Sequence, residues 1–93
     1  MCITRINRFQ AAPTKAEELH EFLNSILPYI SSCEGSLSCE ILRDLENNDK
    51  FAVIEKWDSI TSHQKSVAAF PQETMMSAMV LFAAMPEGSY YQS

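Results

Sequence analysis

The chain has 93 residues, 46% of them hydrophobic, and its twelve Asp and Glu outnumber seven Lys and Arg for a formal net charge of −5. The basic residues are scattered rather than clustered, which excludes nucleic acid as a partner because phosphate binding draws on grouped Lys and Arg. The start Met1-Cys2-Ile3-Thr4-Arg5 lacks the charged opening and apolar core of a targeting signal, and the longest apolar run, residues 75–85, is too short to span a bilayer.

These bounds lead to one cytoplasmic domain, residues 1–93, with no membrane partner. A monomer of this mass exposes about 5,400 Å² when folded against about 15,200 Å² when extended, so roughly 64% of the surface is buried and the core is marginal alone. A second copy of the chain is the expected remedy, giving a homodimer. Cys2, Cys33 and Cys39 are odd in number and lack metal-ligand spacing, so no metal centre is expected and the thiols are read as reduced. Cys33 at a helix end and Cys39 pointing inward on the next strand leave a bridge open, though Cys39 also suits a small core position.

A first strand is predicted over residues 2–11, with Ile3, Arg5, Asn7 and Phe9 on one face and Thr4, Ile6 and Arg8 on the other. Helix one then opens at Thr14 as N-cap, Glu17 completes a capping box, and Leu19, Phe22, Leu23, Ile26 and Ile30 make an apolar stripe. Pro28 removes the hydrogen bond to the Asn24 carbonyl and predicts a kink or an early change of direction. Residues 35–57 read as one hairpin: Leu37, Cys39 and Ile41 alternate with polar neighbours, Phe51, Val53 and Trp57 do the same, and Glu46-Asn47-Asn48-Asp49 supplies the turn. Pairing Asp44 with Lys50 sets Arg43 opposite Phe51, Ile41 opposite Val53, Cys39 opposite Glu55 and Leu37 opposite Trp57.

Beyond the hairpin, Asp58 or Ser59 caps a short helix towards Phe70, and Pro71 starts another helical turn. Residues 73–85 are apolar nearly all round. Met75, Met76, Met79, Val80, Leu81 and Phe82 cannot all face one core, so a partner chain or a cavity must take some of them. Pro86 and Gly88 end this segment, and residues 89–92 form a last strand. His20 and His63 are expected on solvent-facing helix surfaces.

The order β-α-β-β-α-β implies an α+β fold, a ferredoxin-like sandwich with a four-stranded antiparallel sheet and helices on one face. Strand one then lies beside strand three, which brings Arg5 and Asn7 near Glu55 and Trp57 on the helix side. The expected result is a cavity with polar groups in apolar walls. Ile6, Leu42, Ala52 and Ile54 form an apolar patch on the opposite face, suited to a second subunit.

A Gly35-Ser36-Leu37 opening, a strand ending in Arg43-Asp44, a polar turn, Phe51 and Glu55 and Trp57 on the next strand, then Asp58-Ser59 at a helix start, together resemble the antibiotic biosynthesis monooxygenase superfamily. Ile6-Asn7-Arg8-Phe9 and Pro13-Thr14-Lys15 resemble its first strand and helix entry, with Thr14 standing where the family often has Gly, and Tyr90-Tyr91 resembles its last strand. The resemblance covers almost the whole chain and implies the dimeric α/β barrel form of the fold. It also points to Asn7 and Trp57, which match the asparagine and tryptophan of haem-degrading members. Those members add an axial histidine in the second helix region, where this chain offers only His63 and residues 64–85 hold none.

The resemblance therefore implies cofactor-independent oxygenation of a small aromatic quinol or polycyclic phenol by O₂. Asn7 would hydrogen-bond the substrate oxygen, Trp57 stack on the ring or fix its plane, and Arg5 stabilise a phenolate. Glu55 is either a base or an arginine's ion-pair partner, and Phe22, Ile26, Phe70 and Met79 complete the substrate-binding set. The alternative is a non-catalytic dimeric module that binds a small apolar ligand or supports another protein, and haem degradation stands third.

Overall fold

The computed structural model describes residues 2–93. In chain order they form β1 (Ile3–Gln10), α1 (Ala16–Ser32), β2 (Ser36–Arg43), β3 (Lys50–Trp57), α2 (Ile60–Ala69), α3 (Gln72–Ala78), a 3-10 turn (Met79–Leu81) and β4 (Glu87–Tyr91). The four strands make one antiparallel sheet in the order β2-β3-β1-β4, the ferredoxin-like arrangement. Leu19 and Leu23 of α1 are buried against Ala11, Phe51 and Val53, and a second cluster joins Ile3, Ile30 and Trp57. The expected stripe and the two-residue period of β3 thus meet as the core.

The hairpin keeps its expected register from Cys39 opposite Glu55 to Arg43 opposite Phe51. Asp44 fixes the turn: its Oδ1 accepts from the backbone N–H of Glu46 at 2.7 Å and of Asn47 at 3.0 Å. Those bonds hold its carboxyl below the usual carboxylate value. Leu37 departs from expectation. The register shifts between Ser36 and Ser38, so Ser36 rather than Leu37 faces Trp57 and Leu37 is exposed. One extra residue in a strand breaks the alternation of faces, which a strict two-residue period cannot anticipate.

The start of α1 also differs. Thr14 takes φ 67, Lys15 is the N-cap, and no side chain caps the helix. A capping side chain needs an extended backbone at its own residue, so the left-handed turn at Thr14 removes the capping box. Pro28 does not end the helix, which runs on to Ser32. Gly35, at φ 89, then turns the chain into β2, and a Cβ there would overlap Ser62 and Asp58.

Ser59 caps α2 by accepting from the Ser62 N–H at 3.1 Å. The apolar segment that follows breaks into α3 and the 3-10 turn, after which Phe82 bridges back to Ala11 and stacks at 5.6 Å on Phe9. Met75, Met76, Met79, Val80 and Met85 remain exposed, and β4 starts two residues earlier than predicted. Cys2, Cys33 and Cys39 are free. Cys33 donates to the Tyr29 carbonyl at 3.2 Å, and burial, followed by the charges of Glu55 and Glu40, pushes the Cys39 thiol up to about 12.

Candidate active site

Pairing of β1 with β3 sets Ile3 opposite Trp57, Arg5 opposite Glu55 and Asn7 opposite Val53. Side chains alternate along a strand, so these residues share the helix side of the sheet. Glu55 lies buried at the centre. Its Oε1 accepts from the Trp57 indole N–H at 2.9 Å and its Oε2 from the Asn7 amide at 3.0 Å. Arg5 Nε donates to the Asn7 Oδ1 at 3.0 Å, which settles the orientation of that amide from both ends. Asn7 therefore stands between Arg5 and Glu55, in place of the expected direct ion pair. Burial pushes the Glu55 carboxyl above the ordinary carboxylate value, while the bonds from Trp57 and Asn7 and the Arg5 charge pull it down.

His63, expected in solvent, is buried on the inner face of α2. Its Nδ1 lies 2.7 Å from the Tyr90 hydroxyl, its Nε2 lies 4.0 Å from Glu55 Oε1, and its ring sits edge-on to Trp57 and Tyr90. Burial, then the Arg5 charge, hold the imidazole below its usual value, which favours the neutral ring. The sequence carried no apolar signal for this placement, because the hydrophobic residues at helical spacing from His63, Ile60 and Val67, are themselves exposed. Tyr90 also holds its ring 4.5 Å from the Arg5 guanidinium carbon, a cation–π contact. Gly88 pairs with Asn7, and a Cβ there would overlap the Arg5 guanidinium and the Asn7 amide oxygen.

These groups open onto a cavity of about 480 Å³ between the sheet and the helices. Arg5, Asn7, Glu55 and His63 line its polar side, and Ile26, Ile30, Val67, Phe70 and Met75 its apolar side. Tyr29 braces the helical wall by donating to the Ser66 carbonyl at 2.7 Å and meeting Phe70 edge-on. Of the expected site residues, Arg5, Asn7, Ile26, Glu55 and Phe70 come together here. Trp57 does not line the cavity: it is fully buried with Ile3 and Ile30, its N–H is spent on Glu55, and no ring face is left to stack on a ligand. Phe22, one turn before Ile26, packs instead against the core around Leu19 and Phe51. Met79 stands exposed on the 3-10 turn, where the chain has already left the cavity wall. Among the described residues no three His, Cys, Asp or Glu gather as a metal site, and no helix is long and apolar enough to cross a membrane.

The family model described as Antibiotic biosynthesis monooxygenase matches residues 2–74. The chain belongs to this family. The matched region of the antibiotic biosynthesis monooxygenase domain contains Arg5, Asn7, Glu55, Trp57 and His63, while Gly88 and Tyr90 lie beyond it. Solved structures share the domain's fold. A conserved protein from Methanosarcina mazei Go1 superposes with a TM-score of 0.89 at 18% identity, over 100% of this chain and 93% of that one. PA3566 from Pseudomonas aeruginosa gives 0.88 at 19%, over 99% and 94%. SnoaB, a cofactor-independent oxygenase from Streptomyces nogalater, gives 0.84 at 15%, over 99% and 92%. No curated protein matches the sequence. The antibiotic biosynthesis monooxygenase family includes cofactor-independent monooxygenases.

Proposed function

We propose that this protein is a cofactor-independent monooxygenase that combines a small aromatic quinol or polycyclic phenol with O₂ in the cavity, as a cytoplasmic homodimer. The observation that carries this reading is the two-sided cavity, with fixed hydrogen-bond donors on the sheet and apolar walls on the helices. A flat ring with an ionisable oxygen on one edge matches that division. The Streptomyces nogalater neighbour, described as a cofactor-independent oxygenase on the same fold, supports the reading.

In such a reaction the substrate loses a proton and its anion passes an electron to O₂, so the protein's work is desolvation and stabilisation of negative charge. For an anthrone the balance closes without an external reductant. The ring CH₂ becomes C=O, one oxygen atom of O₂ enters the carbon, and the other leaves as water with the two hydrogens. Asn7 gives one amide hydrogen to Glu55 and keeps the second for the substrate oxygen. Arg5 spends Nε on Asn7 and keeps its terminal N–H groups for the anion. Trp57 acts one step back by fixing Glu55, which in turn aims the Asn7 amide.

The test is oxygen uptake by the purified protein with hydroquinones, naphthoquinols and anthrones, with haem titrated in parallel. Uptake above the spontaneous rate is expected, and loss of one oxyanion donor in Asn7→Ala should lower turnover about 10²- to 10³-fold. Tight binding without uptake would favour the non-catalytic module, and a stable Soret band would favour haem degradation.

A further inference from the structure

We propose that His63 is the general base of this site, with Tyr90 as the positioning residue that holds its ring in the tautomer whose Nε2 is free to accept a proton. The assignment rests on reading the cavity as a phenol or quinol site. Two nitrogens of one ring are in different situations. Nδ1 is engaged at 2.7 Å by the Tyr90 hydroxyl, whereas Nε2 makes no hydrogen bond, its nearest carboxylate oxygen being 4.0 Å away. Every fully buried side-chain nitrogen and oxygen among the described residues has a partner, so the unpartnered Nε2 keeps some exposure, on a residue that lines the cavity. Glu55 is less suited to the task because each of its oxygens already accepts a hydrogen bond, from Trp57 and from Asn7.

The step is a proton transfer. Nδ1–H donates to the Tyr90 oxygen, the Nε2 lone pair takes the hydrogen of the substrate O–H, and the bond's electron pair stays on the substrate oxygen. The new imidazolium then faces the Glu55 carboxylate, while Arg5 and Asn7 receive the phenolate. When the oxygenated intermediate expels hydroxide, the same proton returns to it as water. The charged and titratable groups packed around the imidazole are Arg5 on β1, Glu55 on β3 and Tyr90 on β4, with Tyr29 on the helical side of the cavity. An imidazole suits the role because its proton affinity lies near neutrality, as general-base catalysis requires.

The probe is 2-naphthol, whose phenolate is spectrally distinct from the phenol and which is neutral in water at pH 7. On saturating the wild-type protein at pH 7 the phenolate band should appear, and it should vanish in His63→Gln. A band that persists in His63→Gln, or never appears in the wild type, overturns the proposal. ¹⁵N spectra of the wild-type imidazole give a second reading that does not depend on the folding of His63→Gln. Nδ1 protonated and Nε2 bare is expected, with the signature moving in Tyr90→Phe; a protonated Nε2 in the free wild type also overturns the assignment. A phenolate band without oxygen uptake would sink the oxygenase reading and leave His63 as a base. If turnover is present, His63→Gln should lower kcat/KM about 10²- to 10⁴-fold.

Discussion

Gly88 has no side chain, yet the polar wall of the cavity depends on that absence. Its missing Cβ leaves room for the Arg5 guanidinium and the Asn7 amide, which is tied at both ends. In Gly88→Ala the guanidinium can swing aside but the amide cannot follow without losing Glu55. Kinetics of the variant should show kcat/KM down about 10²-fold, the cost of a misplacement near 1 Å, with a lowered melting temperature from the lost Asn7–Glu55 bond. Thr14 is the converse case, a β-branched residue at φ 67. Thr14→Gly relieves about 1–2 kcal/mol of steric strain, part of which glycine's larger entropy loss offsets. A net gain near 1 kcal/mol corresponds to a rise of about 4–8 °C in thermal denaturation; a lower melting temperature would contradict the strain. These two residues mark where a one-dimensional reading stops. Arg5, Asn7 and Glu55 were legible together because alternation and strand order bring them to one face. The φ of Thr14, the burial of Trp57 beneath Glu55 and the clearance at Gly88 arise only once the chain has packed.

Helix α2 is unusual in what it buries. Its fully covered residues are His63 and Ser66, whereas Ile60 and Val67 are exposed, so hydrogen bonds from Tyr90 and Tyr29 substitute for an apolar seam. A polar inner face runs against the rule that buried faces are apolar, which explains why the helix was legible and the role of His63 was not. It also makes the helix sensitive to pH. The folded state lowers the pKa of His63 below the ordinary 6.5, so it favours the neutral ring. That contribution to stability is fully present above 6.5 and is lost as pH falls through the lowered folded value. Glu55, raised above 4.5 chiefly by burial, works in the opposite sense: its contribution is present at low pH and is lost as pH rises through its folded value. Thermal melting followed from pH 7.5 to pH 5 should therefore fall more steeply in the wild type than in His63→Gln. Parallel slopes for the two proteins would show that the ring does not titrate on folding.

The described helices pack on the core side of the sheet, and on the other side Ile6, Ala52 and Ile54 are half-buried and Leu42 is exposed. Ile6 pairs with Ile54, and Leu42 with Ala52, so the predicted apolar patch is continuous across β1, β3 and β2, with Leu42 exposed. A concavity of about 410 Å³ at the edge of this region takes in Arg8, Leu42, Ala52 and Met85. The chain exposes 6069 Å², while a monomer of its mass is expected to expose about 5,400 Å². The excess, about 670 Å², approaches the roughly 800 Å² that one partner buries in a standard interface. In the proposed homodimer, sheet-to-sheet pairing of two copies would remove that excess and leave both cavities, which lie on the helix sides, free to bind ligand. Sedimentation should accordingly give twice the chain mass for the wild type and a single chain for Leu42→Glu combined with Ile54→Glu, because like charges buried face to face without partners are costly. A monomeric wild type at micromolar concentration would refute the interface. If the double variant becomes monomeric yet keeps the 2-naphthol phenolate band, the site belongs to one chain and the dimer contributes stability alone.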